Sequence, residues 1–224
     1  MKLYTPTEIE KIQQDLPYLI EITAWVNAFL ARDHPDLGRS GAVCPYIPHA
    51  LKCNNIQMSV IRTQNLDLAQ IEDIVENYRS VFLETAATAK EIAVYKAFLL
   101  IFPDVDIEAA TQIIDPIQQK LKPLFVESGL MIGEFHRRTE SPGLHNSNFR
   151  PLRSPTPLLA IRFMNELDLP FLQSPDNPHL RIRYLEAYLK QFHNQIQDQT
   201  KLQKIYENLA LAKAEVQAEN LVNY

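Results

Sequence analysis

Residues 129–164 read GLMIGEFHRRTESPGLHNSNFRPLRSPTPLLAIRFM. Two short apolar segments, Leu130 to His136 and Leu158 to Met164, flank a polar stretch punctuated by Pro142-Gly143, Pro151, Pro155 and Pro157. Short apolar runs bounded by turn formers read as strands. The prolines between them predict a stiff, extended connection. Alternate strand residues share a face, so Leu130, Ile132, Glu134 and His136 are expected on one side, with Met131, Gly133 and Phe135 on the other.

Working outward, Val94 to Phe102 is almost unbroken apolar sequence, which predicts a central strand covered on both faces. Ile56, Met58 and Val60 alternate as in a half-buried strand. Asp67 to Leu83 has helical spacing, with Leu68, Ile71, Ile74, Val75, Tyr78 and Phe82 inward, and Asp106 to Val126 is a second helical stretch that Pro116 should interrupt. Strand and helix alternate, so the fold class is α/β, with α+β as the alternative. The expectation is a single domain with a mainly parallel or mixed sheet of four to five strands.

Before this core, Thr5-Pro6-Thr7-Glu8 forms a capping box. Ile9, Ile12, Leu16, Leu19, Ile22, Val26 and Phe29 follow at helical spacing, and Pro17 should kink or split the run. Asp36 to Asn55 reads as a loop. After the core, two helices are expected, from Pro178 to Gln195 and from Thr200 to Leu221. In the second, Leu202, Ile205, Leu209, Ala212 and Val216 form a short seam, for docking on its own domain or on a second subunit as a homodimer. The resulting organisation is 1–35 N-terminal helices, 36–177 α/β core and 178–224 C-terminal helices.

Composition removes several function classes. The chain has 224 residues, 46% apolar and 22% charged, which suits a globular domain. No apolar run is long enough for a membrane span, and Met1 to Glu10 lacks the apolar centre of a signal peptide. Two cysteines, Cys44 and Cys53, exclude a disulfide scaffold and a four-cysteine zinc site, so the chain reads as cytoplasmic. A net charge of -5 argues against nucleic acid as a partner. No Walker loop, G-x-G-x-x-G, G-x-S-x-G or H-E-x-x-H is present.

Against that acidic background, residues 129–164 hold five arginines, no lysine and only two acids. Arginine's planar fork suits bidentate contact with carboxylate or phosphate. Arg150 and Arg153 flank Pro151-Leu152, and Arg162 lies within an apolar strand, where it needs a partner such as Glu134 or a bound carboxylate. Glu134 beside His136 at a strand exit could orient the imidazole or move a proton with it, and strand exits of open α/β sheets are where ligands bind. His145-Asn146 lies in a loop long enough to act as a lid. Cys44 and His49 form C-x4-H, which matches no zinc signature. Cys44 then reads as a small buried hydrophobe, a thiolate ligand or a pocket wall.

The block Gly129–His136, Phe149–Pro155, Leu158–Met164 and Asp168–Leu172 resembles an uncharacterised bacterial domain family of unknown function, found in cyanobacteria and actinobacteria, often near biosynthetic genes. It is similar, more weakly, to the YqcI/YcgG family in the order of Cys44-Pro45-Tyr46, Glu134-Phe135-His136 and Arg153-Ser154-Pro155. Some members of that family are haem-dependent N-hydroxylases. That likeness implies haem-dependent oxidative chemistry on a small polar metabolite, with His136 as axial metal ligand and Glu134 as its neighbour. Arg150, Arg153 and Arg162 would hold propionates or a substrate carboxylate, and Cys44 and His49 would line the pocket. Two other readings stand beside it: a non-catalytic module binding a small anion or a partner protein through loop 137–162, and a cofactor-free acid–base enzyme using Glu134 and His136.

Overall fold

The computed structural model describes residues 3–86, 93–173 and 176–222. Helix α1 (Pro6–Trp25) starts at the expected capping box: Thr5 Oγ1 accepts from the Glu8 amide at 3.3 Å, and Glu8 Oε2 accepts from the Thr5 amide at 2.7 Å. It runs through Pro17 without splitting, then widens into one π-helical turn, Val26–Leu30. A short helix α2 (Ile47–Lys52) occupies part of the stretch expected to be loop. Strand β1 (Ile56–Val60), helix α3 (Leu68–Ala86), strand β2 (Ala97–Ile101) and helix α4 (Ala110–Glu127) follow. Strands β3 (Leu130–Phe135) and β4 (Leu158–Phe163) bracket the proline-rich connection, and α5 (Leu169–Leu172), α6 (Pro178–Phe192) and α7 (Gln199–Val222) complete the order.

The four strands form one mixed sheet in the order β1-β2-β4-β3. β1 and β2 are parallel, as a crossover through α3 requires, with Met58 opposite Leu99. β2 and β4 are antiparallel, with Leu99 opposite Ala160 and Ile101 opposite Leu158. The fold class is α/β. β2 is central, and its apolar run has the expected cause. Leu99 and Ile101 pack with Ile22 and Val26 of α1, while Phe98 on the other face meets the rings of Tyr78 and Phe82 of α3 at 6.4 and 4.9 Å.

The chain divides into two compact units. One consists of the described residues up to Gln119 with Ile132–Arg162, and the other of Lys120–Met131 with the described residues from Phe163 onward. In the second, Leu202, Ile205 and Leu209 of α7 are buried in one cluster with Tyr184, Leu185, Tyr188, Leu189 and Phe192 of α6. The seam expected on α7 is therefore internal to this chain. Each such fully buried side chain contributes about 1.5–3 kcal/mol.

The prolines inside α1 and α4 do not break these helices. Pro116 does not interrupt α4, which also carries Pro123. Each proline removes one intrahelical hydrogen bond, but Ile114, Ile117, Leu121 and Phe125 all lie buried on one stripe, and that burial holds the helix. In α1 only the C-terminal part packs inward. Ile22 and Val26 are buried, whereas Ile9, Ile12, Leu16 and Ile20 are exposed. Arg62 anchors α1 by pairing with Asp15 at 2.7 Å and Asp104 at 3.1 Å and by donating to the Gln14 carbonyl. No helix among the described residues is long and apolar enough to cross a membrane.

Candidate functional site

β3 ends at Phe135, and the next four residues form a tight turn built around His136. The ring is completely buried. Its Nε2 lies 2.7 Å from Asp115 Oδ1 on α4, and its Nδ1 accepts from the Arg138 amide at 3.2 Å. An Nδ1 that accepts carries no proton, so Nε2–H is the donor to Asp115. The His136 amide donates to Thr139 Oγ1, and the Thr139 amide donates to the His136 carbonyl. The turn is closed on itself, and α4 holds it from below.

The proline-rich strand connection is tied to this turn. Arg153 donates through Nε to the Thr139 carbonyl at 3.2 Å and through a terminal nitrogen to Glu140 Oε1 at 2.7 Å. Arg150 reaches Glu140 Oε2 at 3.1 Å. The hydrogen bond from Arg150, with the nearby charge of Arg153, holds the Glu140 carboxyl below the usual carboxylate range. Further along, Ser154 Oγ donates to the Thr156 carbonyl at 2.7 Å, and Thr156 Oγ1 donates to Glu21 Oε2 on α1. Helix and loop are thus held together along one edge.

Between them lies an open cavity of about 580 Å³, lined by Glu21, Trp25, Arg137, Arg153, Ser154 and Pro155. Trp25 is fixed edge-on against Phe135, with ring centres 5.8 Å apart. Arg153 and Glu21 are partly engaged by the bonds just given. Arg137 is exposed and makes no hydrogen bond or ion pair with any described residue. An unpaired guanidinium beside an indole and a proline can take a carboxylate or phosphate whose body is apolar.

The predicted site residues do not converge. Residues 129–164 supply four of the six lining residues, yet of the named candidates only Arg153 is among them. The carboxylate on His136 is that of Asp115, whereas Glu134 accepts from Ser141 Oγ at 3.2 Å. Arg150 closes onto Glu140 and the Ser147 carbonyl. Arg162 is half-buried, opposite Ala97, and already engaged. Cys44 packs at the edge of the α1-side core, and His49 stacks on Tyr95 with ring centres 4.1 Å apart. The His145 loop is anchored and does not hang free as a lid: Asn146 Nδ2 donates to the Asp36 carbonyl at 2.8 Å.

These placements do not fit a haem carried on His136. Both ring nitrogens are engaged, no face of the ring is open, and two arginines assigned to propionates are closed onto Glu140. A Cβ at Gly133 would meet only the Phe135 ring edge, at 3.4 Å, so that glycine does not mark a ligand cradle. Among the described residues, no group of three or more His, Cys, Asp and Glu side chains could hold a metal ion.

Residues 19–203 match the family described as Domain of unknown function (DUF6875). The chain belongs to this family. DUF6875 covers every residue lining the cavity, the His136–Asp115 pair and the Glu140 clamp. The match to DUF6875 lends no support to the YqcI/YcgG likeness. No curated protein and no solved structure matches the chain.

Three residues of this DUF6875 site escaped sequence reasoning, and two carried a signal. Trp25 is the single tryptophan of the chain. Asp115 is an acid set between Ile114 and Ile117, both wholly buried, and an acid at such a position needs a buried partner. Glu21 carried no signal in the sequence.

Proposed function

We propose that the cavity binds a small organic anion, a carboxylate or phosphate on an apolar or aromatic body, without a resident cofactor. The observation that supports this reading is the unpaired guanidinium of Arg137 on a wall that also presents Trp25 and Pro155. Arg153 adds positive potential, which Glu140 offsets only in part because it is shared with Arg150; Arg137, with no partner among the described residues, is the anchor. The His136 turn supports the role indirectly. The turn that buries the His136 ring leaves Arg137 exposed on its outer side. General acid–base work by Glu134 and His136 is disfavoured, because the ring is closed off from any substrate.

Trp25 emission reports on this cavity, since no other tryptophan contributes. Titration with 3-phenylpropanoate and with phenyl phosphate should change that emission saturably, and inorganic phosphate should bind more weakly for want of an apolar body. Arg137→Ala removes no hydrogen bond or ion pair to a described residue, so it should fold normally and bind about tenfold or more weakly. No response to either organic anion up to about 10 mM, or undiminished affinity in Arg137→Ala, overturns the proposal.

A further inference from the structure

A second charge on the cavity wall narrows the class of ligand. Glu21 lines the same space as Arg137. Its Oε2 accepts from Thr156, and its other carboxylate oxygen has no partner among the described residues. Glu21 pairs with neither Arg137 nor Arg153 although all three line one cavity, and Arg153 is already paired with Glu140. The wall therefore carries one guanidinium, Arg137, with no partner among the described residues and one carboxylate, Glu21, with no ionic partner among them, while Arg153 shares Glu140 with Arg150. A simple anion seated on Arg137 would face repulsion from Glu21, unless it carried a positive group of its own.

We infer that the ligand is a zwitterion of the amino-acid class, with its carboxylate on Arg137, its ammonium on Glu21 and an apolar or aromatic side chain against Trp25 and Pro155. Three features of the cavity favour this. The two charges sit on different elements, α1 and the turn after β3, as recognition of two separated groups requires. An ammonium next to Trp25 also gains from the indole face. The Thr156 hydroxyl holds the Glu21 carboxylate in place, so little side-chain freedom is lost when the ammonium binds.

This inference rests on the cavity being the anion site proposed above, and a matched set of probes separates the two. L-phenylalanine carries both charges, 3-phenylpropanoate lacks the ammonium, and phenethylamine lacks the carboxylate. With Trp25 emission as the readout, L-phenylalanine should bind about tenfold more tightly than either truncated probe. Glu21→Gln keeps an acceptor for Thr156 and so keeps the wall. It should bring L-phenylalanine down to the affinity of 3-phenylpropanoate while tightening 3-phenylpropanoate itself, because the repulsion is gone. If wild type binds 3-phenylpropanoate as tightly as L-phenylalanine, and in an Arg137-dependent way, the zwitterion inference is wrong and the anion site stands. Equal weakening of both probes by Glu21→Gln also overturns it, since Glu21 would then act only through the wall. If neither carboxylate perturbs Trp25, both conclusions fall together.

Discussion

Replacing His136 with alanine tests whether this residue is an anchor or a reactive group. The ring is wholly buried, and its partner Asp115 keeps 29% of its side chain exposed. The substitution removes a bond to a carboxylate, worth about 1.5–3 kcal/mol, and a neutral bond from the Arg138 amide, worth about 1 kcal/mol. It also leaves a cavity the size of an imidazole, at a further cost of about 1–2 kcal/mol. The total is about 3.5–6 kcal/mol, and at this chain length each kcal/mol lowers the melting temperature by about 2–4 °C. Urea denaturation followed by circular dichroism should therefore show a large fall in midpoint. Asp115→Asn keeps an acceptor for Nε2–H and should cost only about 1 kcal/mol. A double-mutant cycle of His136→Ala with Asp115→Ala should return a coupling of about 1.5–3 kcal/mol. Nitrogen NMR of the ring should show the Nε2–H tautomer. A His136→Ala protein within about 1 kcal/mol of wild type, or a coupling near zero, would refute the anchoring role.

Gly38 has φ +76°, and a Cβ there would lie 2.7 Å from the His145 carbonyl oxygen. Gly38→Ala should therefore cost about 2–3 kcal/mol in urea unfolding, and an unchanged midpoint would show that the His145 loop is not seated as described. Burial pushes the Tyr184 and Tyr188 phenols up to about 12, with nearby Glu166 and Asp168 adding to the effect at Tyr188. In a phenolate-absorbance titration, Tyr184 and Tyr188 should ionise near pH 12. An unfolded chain releases those protons at about pH 10, so it binds fewer protons than the folded one up to about 12, and stability should fall as pH rises through that window. Ionisation of Tyr184 and Tyr188 near 10 in the folded protein would contradict the packing of α6.

The strands were legible where burial writes directly into the sequence. β2 is apolar at every position because α1 covers one face and α3 the other, and β1 alternates because Ile56 and Met58 share the face that α1 covers. Strand order was not legible, because the pairing of Ile101 with Leu158 joins segments whose local patterns say nothing of each other. Pro116 misleads in α4, where the burial of Ile114, Ile117, Leu121 and Phe125 overrides the local helix-breaking preference. His136 shows the same limit at the site. The two-residue repeat of a strand nominated Glu134 as its partner, while the true partner came from a helix that the repeat cannot see.

The arginine loop was legible as a segment and misleading residue by residue. Five arginines over 36 residues read as five donors for a ligand. A folded chain, however, brings acids from elsewhere within reach of such a segment, and opposite charges at contact distance pair. Arg138 pairs with Glu108, Arg150 and Arg153 share Glu140, and Arg162 is engaged as well. One Glu140 serves two arginines, so some positive charge remains there, but the guanidinium left with no partner among the described residues is that of Arg137. Nothing in the sequence separates Arg137 from Arg138. The separation is made by the buried ring of His136, whose Nδ1 takes the Arg138 amide while Arg138's side chain goes to Glu108 and Arg137 is left facing Trp25's cavity. A basic patch thus locates a site to within a loop. The residue that binds follows only from which pairs the fold has closed.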